Sequence, residues 1–124
     1  MNQLIVIAAG GAVGAVMRYG MSNAVYTVLG RSFPYGTLAV NVLGSLLMGF
    51  LFVLLIERSA FDVYWRSAIL IGGLGAFTTF STFSIETLNL IEDGAVTLAL
   101  LNILLSVALC IVAVWLGVAM ARQI

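Results

Sequence analysis

The stretch GGLGAFTTFSTFSIE, residues 72–86, lies in the middle of an otherwise apolar segment, and its reading decides the fold. It gathers three glycines, five hydroxyl side chains, three phenylalanines and a glutamate. At that depth a bilayer demands leucine and valine. An unpaired peptide group is costly in hydrocarbon, and irregular backbone persists only where it is buried in protein or lines a wet cavity. The stretch therefore reads as a site, and the other apolar segments as its enclosure.

Composition supplies the membrane. The chain has 124 residues, 63% hydrophobic and 8% charged, with no histidine and one proline, whereas a soluble domain is about a quarter charged. Its five basic and five acidic residues cancel, so no basic face points to nucleic acid. Runs 4–29, 36–56, 67–91 and 94–121 each reach the roughly 20 residues that cross a hydrocarbon core. They lack the short alternating strands of a membrane barrel. The predicted fold class is all-α integral membrane, one four-helix transmembrane domain over residues 1–124 with a broken third helix. The first run is too long for the apolar region of a signal peptide and lacks basic residues before it, so the first helix is expected to stay in the membrane. The single cysteine, Cys110, excludes a disulfide framework.

Within 72–86, Gly72, Gly73 and Gly75 lower helix propensity just before Thr78 and Thr79. A break there releases backbone carbonyls, which are cation ligands in a membrane. The alternative is a kinked helix whose hydroxyls bond back to their own turn. Phe77, Phe80 and Phe83 recur every third residue. Such rings usually pack, but their edges are electropositive. Beside hydroxyl and amide donors they can hold an anion without a full positive charge.

The neighbouring runs carry partners for this stretch. Asn41 shares a face with Gly44, Ser45 and Met48, and its amide is either interhelical glue or a ligand. Asn102, Ser106 and Cys110 form a ridge on the fourth run, read either as interhelical hydrogen bonding or as a pore-lining track; Val114 continues it as an apolar residue. In the first run Gly10, Gly14 and Arg18 follow at four-residue spacing. The glycines suit close helix packing. Arg18 is a packing or snorkelling anchor, or a ligand. Segment 30–35, with Arg31 and Pro34, reads as a tight turn, and 57–66 as a solvated loop with Tyr64 and Trp65 at the interface. Arg58, Arg66 and Arg122 on the side of the termini face Arg31 on the other. That bias favours cytoplasmic termini but is weak, leaving insertion in both orientations open. Four short helices enclose little aqueous path, so an oligomer, most simply a dimer, is expected.

Without histidine, a serine–base pair, a carboxylate pair within the spans or a phosphate loop, enzyme chemistry is not expected. Passage of something small, or structural assembly, remains.

The stretches GGLGAFTTFSTFSIE at 72–86, GGAVGAVMRYG at 10–20 and PYGTLAVNVLGS at 34–45 resemble the three signature stretches of the Fluc (CrcB) fluoride channels of microbes. The likeness covers essentially the whole chain, with all three motifs in order. It implies an antiparallel, dual-topology homodimer with two fluoride pores, in the inner membrane of a bacterial cell. Its role would be passive export of fluoride that enters as HF and dissociates inside. By resemblance, Asn41 is the pore asparagine, and Phe80 and Phe83 are the pore phenylalanines. Ser81, Thr82 and Ser84 are further hydroxyl donors of the same run, and Ser106 counts with the pore. Gly75 and Thr78 match the positions whose carbonyls, from both subunits, hold a structural sodium ion. Arg18 matches the first-helix arginine, and Glu86 the third-helix acid, for which no role is assigned. Cys110 and Val114 stand where some members carry hydroxyls, which puts a continuous polar track on the fourth helix in doubt. The alternative is a small dual-topology proton-coupled multidrug or cation exporter. That chemistry wants a carboxylate in the first helix, where this chain has none.

Overall fold

A computed structural model describes residues 2–59 and 61–124. Four helices are long and apolar enough to cross a membrane: α1 (Asn2–Leu29), α2 (Tyr35–Glu57), α3 (Val63–Glu92) and α4 (Val96–Arg122). No strand occurs among the described residues. Most large apolar side chains point outward, Leu4, Val16, Leu104 and Ile111 among them, as lipid-facing helices require. The chain is a multi-pass membrane protein.

The helix ends follow from local chemistry. Gly30, at φ +82, closes α1, and its N–H reaches the Tyr26 carbonyl at 2.8 Å; glycine adopts that left-handed conformation without strain. Pro34 stands immediately before α2. α3 begins earlier than the hydropathy suggests, taking in residues read above as loop. The reason is a cap: Asp62 Oδ1 accepts from the N–H groups of Tyr64 at 3.0 Å and Trp65 at 3.2 Å, satisfying donors that a helix start leaves orphaned. Gly94, at φ +81, makes the turn into α4.

Small residues set the spacing between helices. A Cβ added to Gly10 or Gly14 on α1 would overlap the carbonyls of Ala68 or Gly73 on α3. On the other side of the molecule, a Cβ on Gly49 of α2 or Gly117 of α4 would overlap the Val114 or Leu46 carbonyl of the facing helix. Backbone contact of this kind supplies the dispersion that holds helices together in lipid. Two segments, Val53–Glu57 and Ser67–Leu74, wind with the wider π-helical turn, and the second ends one residue before Gly75.

α3 is broken where the sequence predicts. Thr78 (φ −90, ψ 159) and Thr79 (φ −153, ψ 119) are extended, and the helix resumes as Phe80–Glu92. Thr79 caps the new start, its Oγ1 accepting the Thr82 N–H at 3.1 Å.

Candidate functional site

At the break the backbone bonds of α3 stop with the Thr78 N–H on the Leu74 carbonyl, 3.1 Å. In a continuous helix the carbonyls of Gly75 to Thr78 would accept from the N–H groups of Thr79 to Thr82. Instead the Thr79 N–H goes to Asn41 Oδ1 at 2.7 Å and the Thr82 N–H goes to Thr79 Oγ1. Phe80 and Ser81 open the next helix, where N–H groups have no helical partner.

Asn41 holds this break from α2. Besides accepting the Thr79 N–H, its Nδ2 donates to the Thr79 carbonyl at 2.9 Å. One primary amide thus satisfies both backbone groups of an extended residue, at a site where Asn41 is 9% exposed. The amide nitrogen carries two hydrogens, and the second has no partner among the described residues. Glue and ligand, the two readings of Asn41, are compatible in one side chain.

Beside that amide opens a cavity of about 400 Å³, lined by Asn41, Gly44, Ser45 and Met48 of α2, Thr78, Thr79, Phe80 and Phe83 of α3, and Ser106, Cys110 and Val114 of α4. The Phe80 and Phe83 rings lie 5.3 Å apart at 41°. Phe83 is buried at 8% exposure, whereas Phe80 is 76% exposed, so the cavity has a phenylalanine in its wall and another at its open side. On α4 the ridge makes the interhelical hydrogen bond that the sequence allows, and its middle also reaches the cavity. Asn102, 1% exposed, donates to Thr87 Oγ1 at 2.9 Å and accepts from Ser106 Oγ at 3.3 Å, while Ser106 and Cys110 face the cavity.

A second cavity, about 360 Å³, lies on the other side of Thr79 and is polar: Arg18, Ser22 and Asn23 of α1, Thr37 of α2, and Thr79 and Thr82 of α3 line it. Arg18 has no ion-pair partner among the described residues. Thr79 belongs to both cavities.

Of the residues singled out in the sequence, Asn41, Phe80, Phe83 and Ser106 meet in the first cavity, and Thr82 and Arg18 in the second. Ser81 Oγ lies 3.3 Å from Thr79 Oγ1, and Ser84 donates back to the Phe80 carbonyl at 2.9 Å; neither lines these cavities. Gly75 lies exposed at the chain surface beside the break, and Thr78 Oγ1 donates to the Leu74 carbonyl at 3.0 Å. Glu86 accepts from the Tyr26 hydroxyl at 2.9 Å. The sequence reading placed Thr79 at the break but gave it no role in the site. A threonine after a Gly-rich stretch and directly before Phe80 is a helix-start signal that could have found its capping role.

No group of three or more histidine, cysteine, aspartate or glutamate side chains suited to a metal occurs among the described residues. What the site offers is an amide N–H, serine and threonine hydroxyls and two phenylalanine rings around a small cavity at the helix break.

The fold and this site define a small multi-pass membrane protein with a broken helix set between two cavities. Residues 5–118 match the family described as CrcB-like protein, Camphor Resistance (CrcB), and the chain belongs to that family. It is similar to the protein named Fluoride-specific ion channel FluC of Magnetococcus marinus, 57% identical over 122 residues, covering 98% of this chain and 99% of that one. The protein of the same name from Coxiella burnetii strain CbuK_Q154 is 56% identical over 125 residues and all of both chains. That of Methylococcus capsulatus is 56% identical over 121 residues; the match covers 98% of this chain but 53% of that one, so the chain spans about half of that relative's length.

Proposed function

We propose that the chain is a passive fluoride-selective channel that lets cytoplasmic fluoride leave the cell, working as an antiparallel homodimer with two pores. The observation that carries this reading is the first cavity, in which an amide N–H, a serine hydroxyl and two phenylalanine rings converge at a helix break with no fixed cation among them. Fluoride is small and strongly hydrated, so a pore must replace its water with several directed donors. A full positive charge in the narrow part would trap it. The second amide hydrogen of Asn41 and the edges of Phe80 and Phe83 are such donors, and the Ser106 hydroxyl becomes one by turning from Asn102 Oδ1, which holds its single hydrogen at 3.3 Å. Chloride is larger, and the spacing of these donors is what excludes it.

Arg18 has a different place in this scheme. It sits in the neighbouring polar cavity, joined to the first at Thr79. There it raises the local anion concentration, and Thr82, whose hydroxyl accepts from Thr79 Oγ1 at 3.0 Å and keeps its own hydrogen, supplies a donor on the way inward. Ser81 and Ser84, with hydroxyls held by their own segment, act through the shape of the helix start.

The dimer is proposed on two features. Phe80 lines the cavity while 76% exposed, so the pore wall is completed from outside the chain. An apolar groove of about 1040 Å³ along α1, α2 and the start of α3, with Val13, Met17, Leu43 and Leu47 on its walls, gives a second copy its seat. Opposite insertion of the copies fits the weak charge bias, and the proposed location is the inner membrane of a bacterial cell.

The residues at the break suit a structural sodium ion. Hard cations take oxygen ligands, and the Gly75 and Thr78 carbonyls have lost their helical partners at the surface where the second copy is placed. One chain supplies too few such oxygens, and two copies double them. A sodium ion held by the Gly75 and Thr78 carbonyls would supply positive charge to balance those released carbonyl dipoles.

The test is ion efflux from liposomes holding the purified protein alone, loaded with fluoride or chloride, with a potassium ionophore dissipating the voltage. Rapid fluoride release with chloride retained is expected. Retention of both ions by dimeric protein overturns the reading.

A further inference from the structure

The second half of α3, Phe80–Glu92, carries both cavity phenylalanines, and it is tied to the rest of the chain at few points. Its start is fixed by Asn41 through Thr79, and its far side meets α4 through Thr87 and Asn102. Toward α1, one side-chain hydrogen bond reaches it among the described residues: the Tyr26 hydroxyl donates to Glu86 Oε2 at 2.9 Å. The same hydroxyl lies 3.5 Å from Thr37 Oγ1 on α2, so one phenol joins three helices.

The surroundings of Tyr26 are built to hold it. A Cβ at Gly36 would overlap the edge of its ring, which leaves room for glycine alone at close contact. The Arg31 guanidinium carbon stands 4.5 Å from the ring centroid. A cation there is attracted to the ring face and helps to hold the ring in place. Glu86 Oε1 is buried without a partner, so the bond from Tyr26 is the contact that fixes this carboxyl group.

We propose that Tyr26 is a positioning residue for ion selection. Held by Arg31 and Thr37, it pins Glu86, and Glu86 sets the placement of Phe83 one turn earlier and of Phe80 nearly two turns earlier on the same helix. The proposal rests on the fluoride-channel reading above. Tyr26 and Glu86 lie outside the cavity lining, so the effect is transmitted through the helix. A rod held at Thr79 and, on its α4 side, at Thr87 can still rock toward or away from α1, because Thr78 and Thr79 are extended and lack the helical bonds that would stiffen the joint. The tether from Tyr26 removes that freedom.

The experiment uses the full chain in liposomes, as wild type, Tyr26→Phe, Glu86→Ala and the double variant. Tyr26→Phe keeps the ring, its fit against Gly36 and the stacking of Arg31, and removes only the O–H. The readouts are the fluoride-to-chloride efflux ratio and the infrared carboxylate band of glutamate-labelled protein. Tyr26→Phe is expected to shift the Glu86 band and to lower the ratio about three- to tenfold, the scale of one lost hydrogen bond. In the Glu86→Ala background, the same substitution is expected to change the ratio no further. An unshifted band, an unchanged ratio in Tyr26→Phe beside a selective wild type, or independent effects in the double variant overturns the positioning role alone. A wild type that passes no fluoride overturns the channel reading and this role with it.

Discussion

Phe80 and Phe83 stand three residues apart on one helix yet differ in burial, at 76% and 8% exposure, and substitution separates their contributions. Phe80→Ile removes an aromatic edge without emptying any core, so the fold is expected to stay intact while fluoride efflux falls by more than about tenfold, or 1.4 kcal/mol in barrier height. Unchanged efflux in that variant would take the ring edges out of the mechanism. Asn41 tests a different link. Asn41→Leu keeps the volume but strips the Thr79 N–H and carbonyl of their partners, and each buried group left unpaired costs about 1–3 kcal/mol. Lower thermal stability in detergent is therefore expected along with lost flux. A variant that loses flux at full stability would make Asn41 a ligand and not a clamp.

At the scale of helices, the contact between α2 and α4 depends on two glycines that admit no side chain. Gly117→Val places a branched side chain against the Leu46 carbonyl, and overpacking of this kind costs about 1–3 kcal/mol or more. Gly20 has open space where a Cβ would go, so Gly20→Ala is expected to leave the protein monodisperse in detergent while Gly117→Val aggregates. Equal behaviour of the two would show that backbone contact is not what holds these helices. Elements of this kind were legible in the sequence because their signals are local. Length and hydropathy give four helices, and the glycines before Thr78 give the break. That Asn41 meets the broken stretch was legible, but its particular partner Thr79, 38 residues away, and the Tyr26–Glu86 tether, 60 residues apart, were not. An asparagine or a tyrosine in an apolar run does not state its partner. Asp62 ahead of Val63, Tyr64 and Trp65 is a local helix-start signal that hydropathy alone does not register, which is why α3 starts earlier than hydropathy predicts.

For the whole molecule, the proposed antiparallel dimer requires that one sequence insert in both orientations. Arg58, Arg66 and Arg122 lie toward the side of the termini, and Arg31 lies on the other. Orientation follows the count of basic residues in short loops near the helix ends, so a bias this small can be overridden by a few charges. Two arginines added after Ile124 should commit the chain to one orientation, and two placed at the Asp93–Gly94 turn to the other. Each variant alone then lacks an oppositely inserted partner and is expected to leave cells sensitive to fluoride. Expressed together they supply both orientations and restore resistance. If either variant alone protects as well as the unmodified chain, a functional unit has formed from copies of one orientation, and the antiparallel arrangement fails even where fluoride conduction holds.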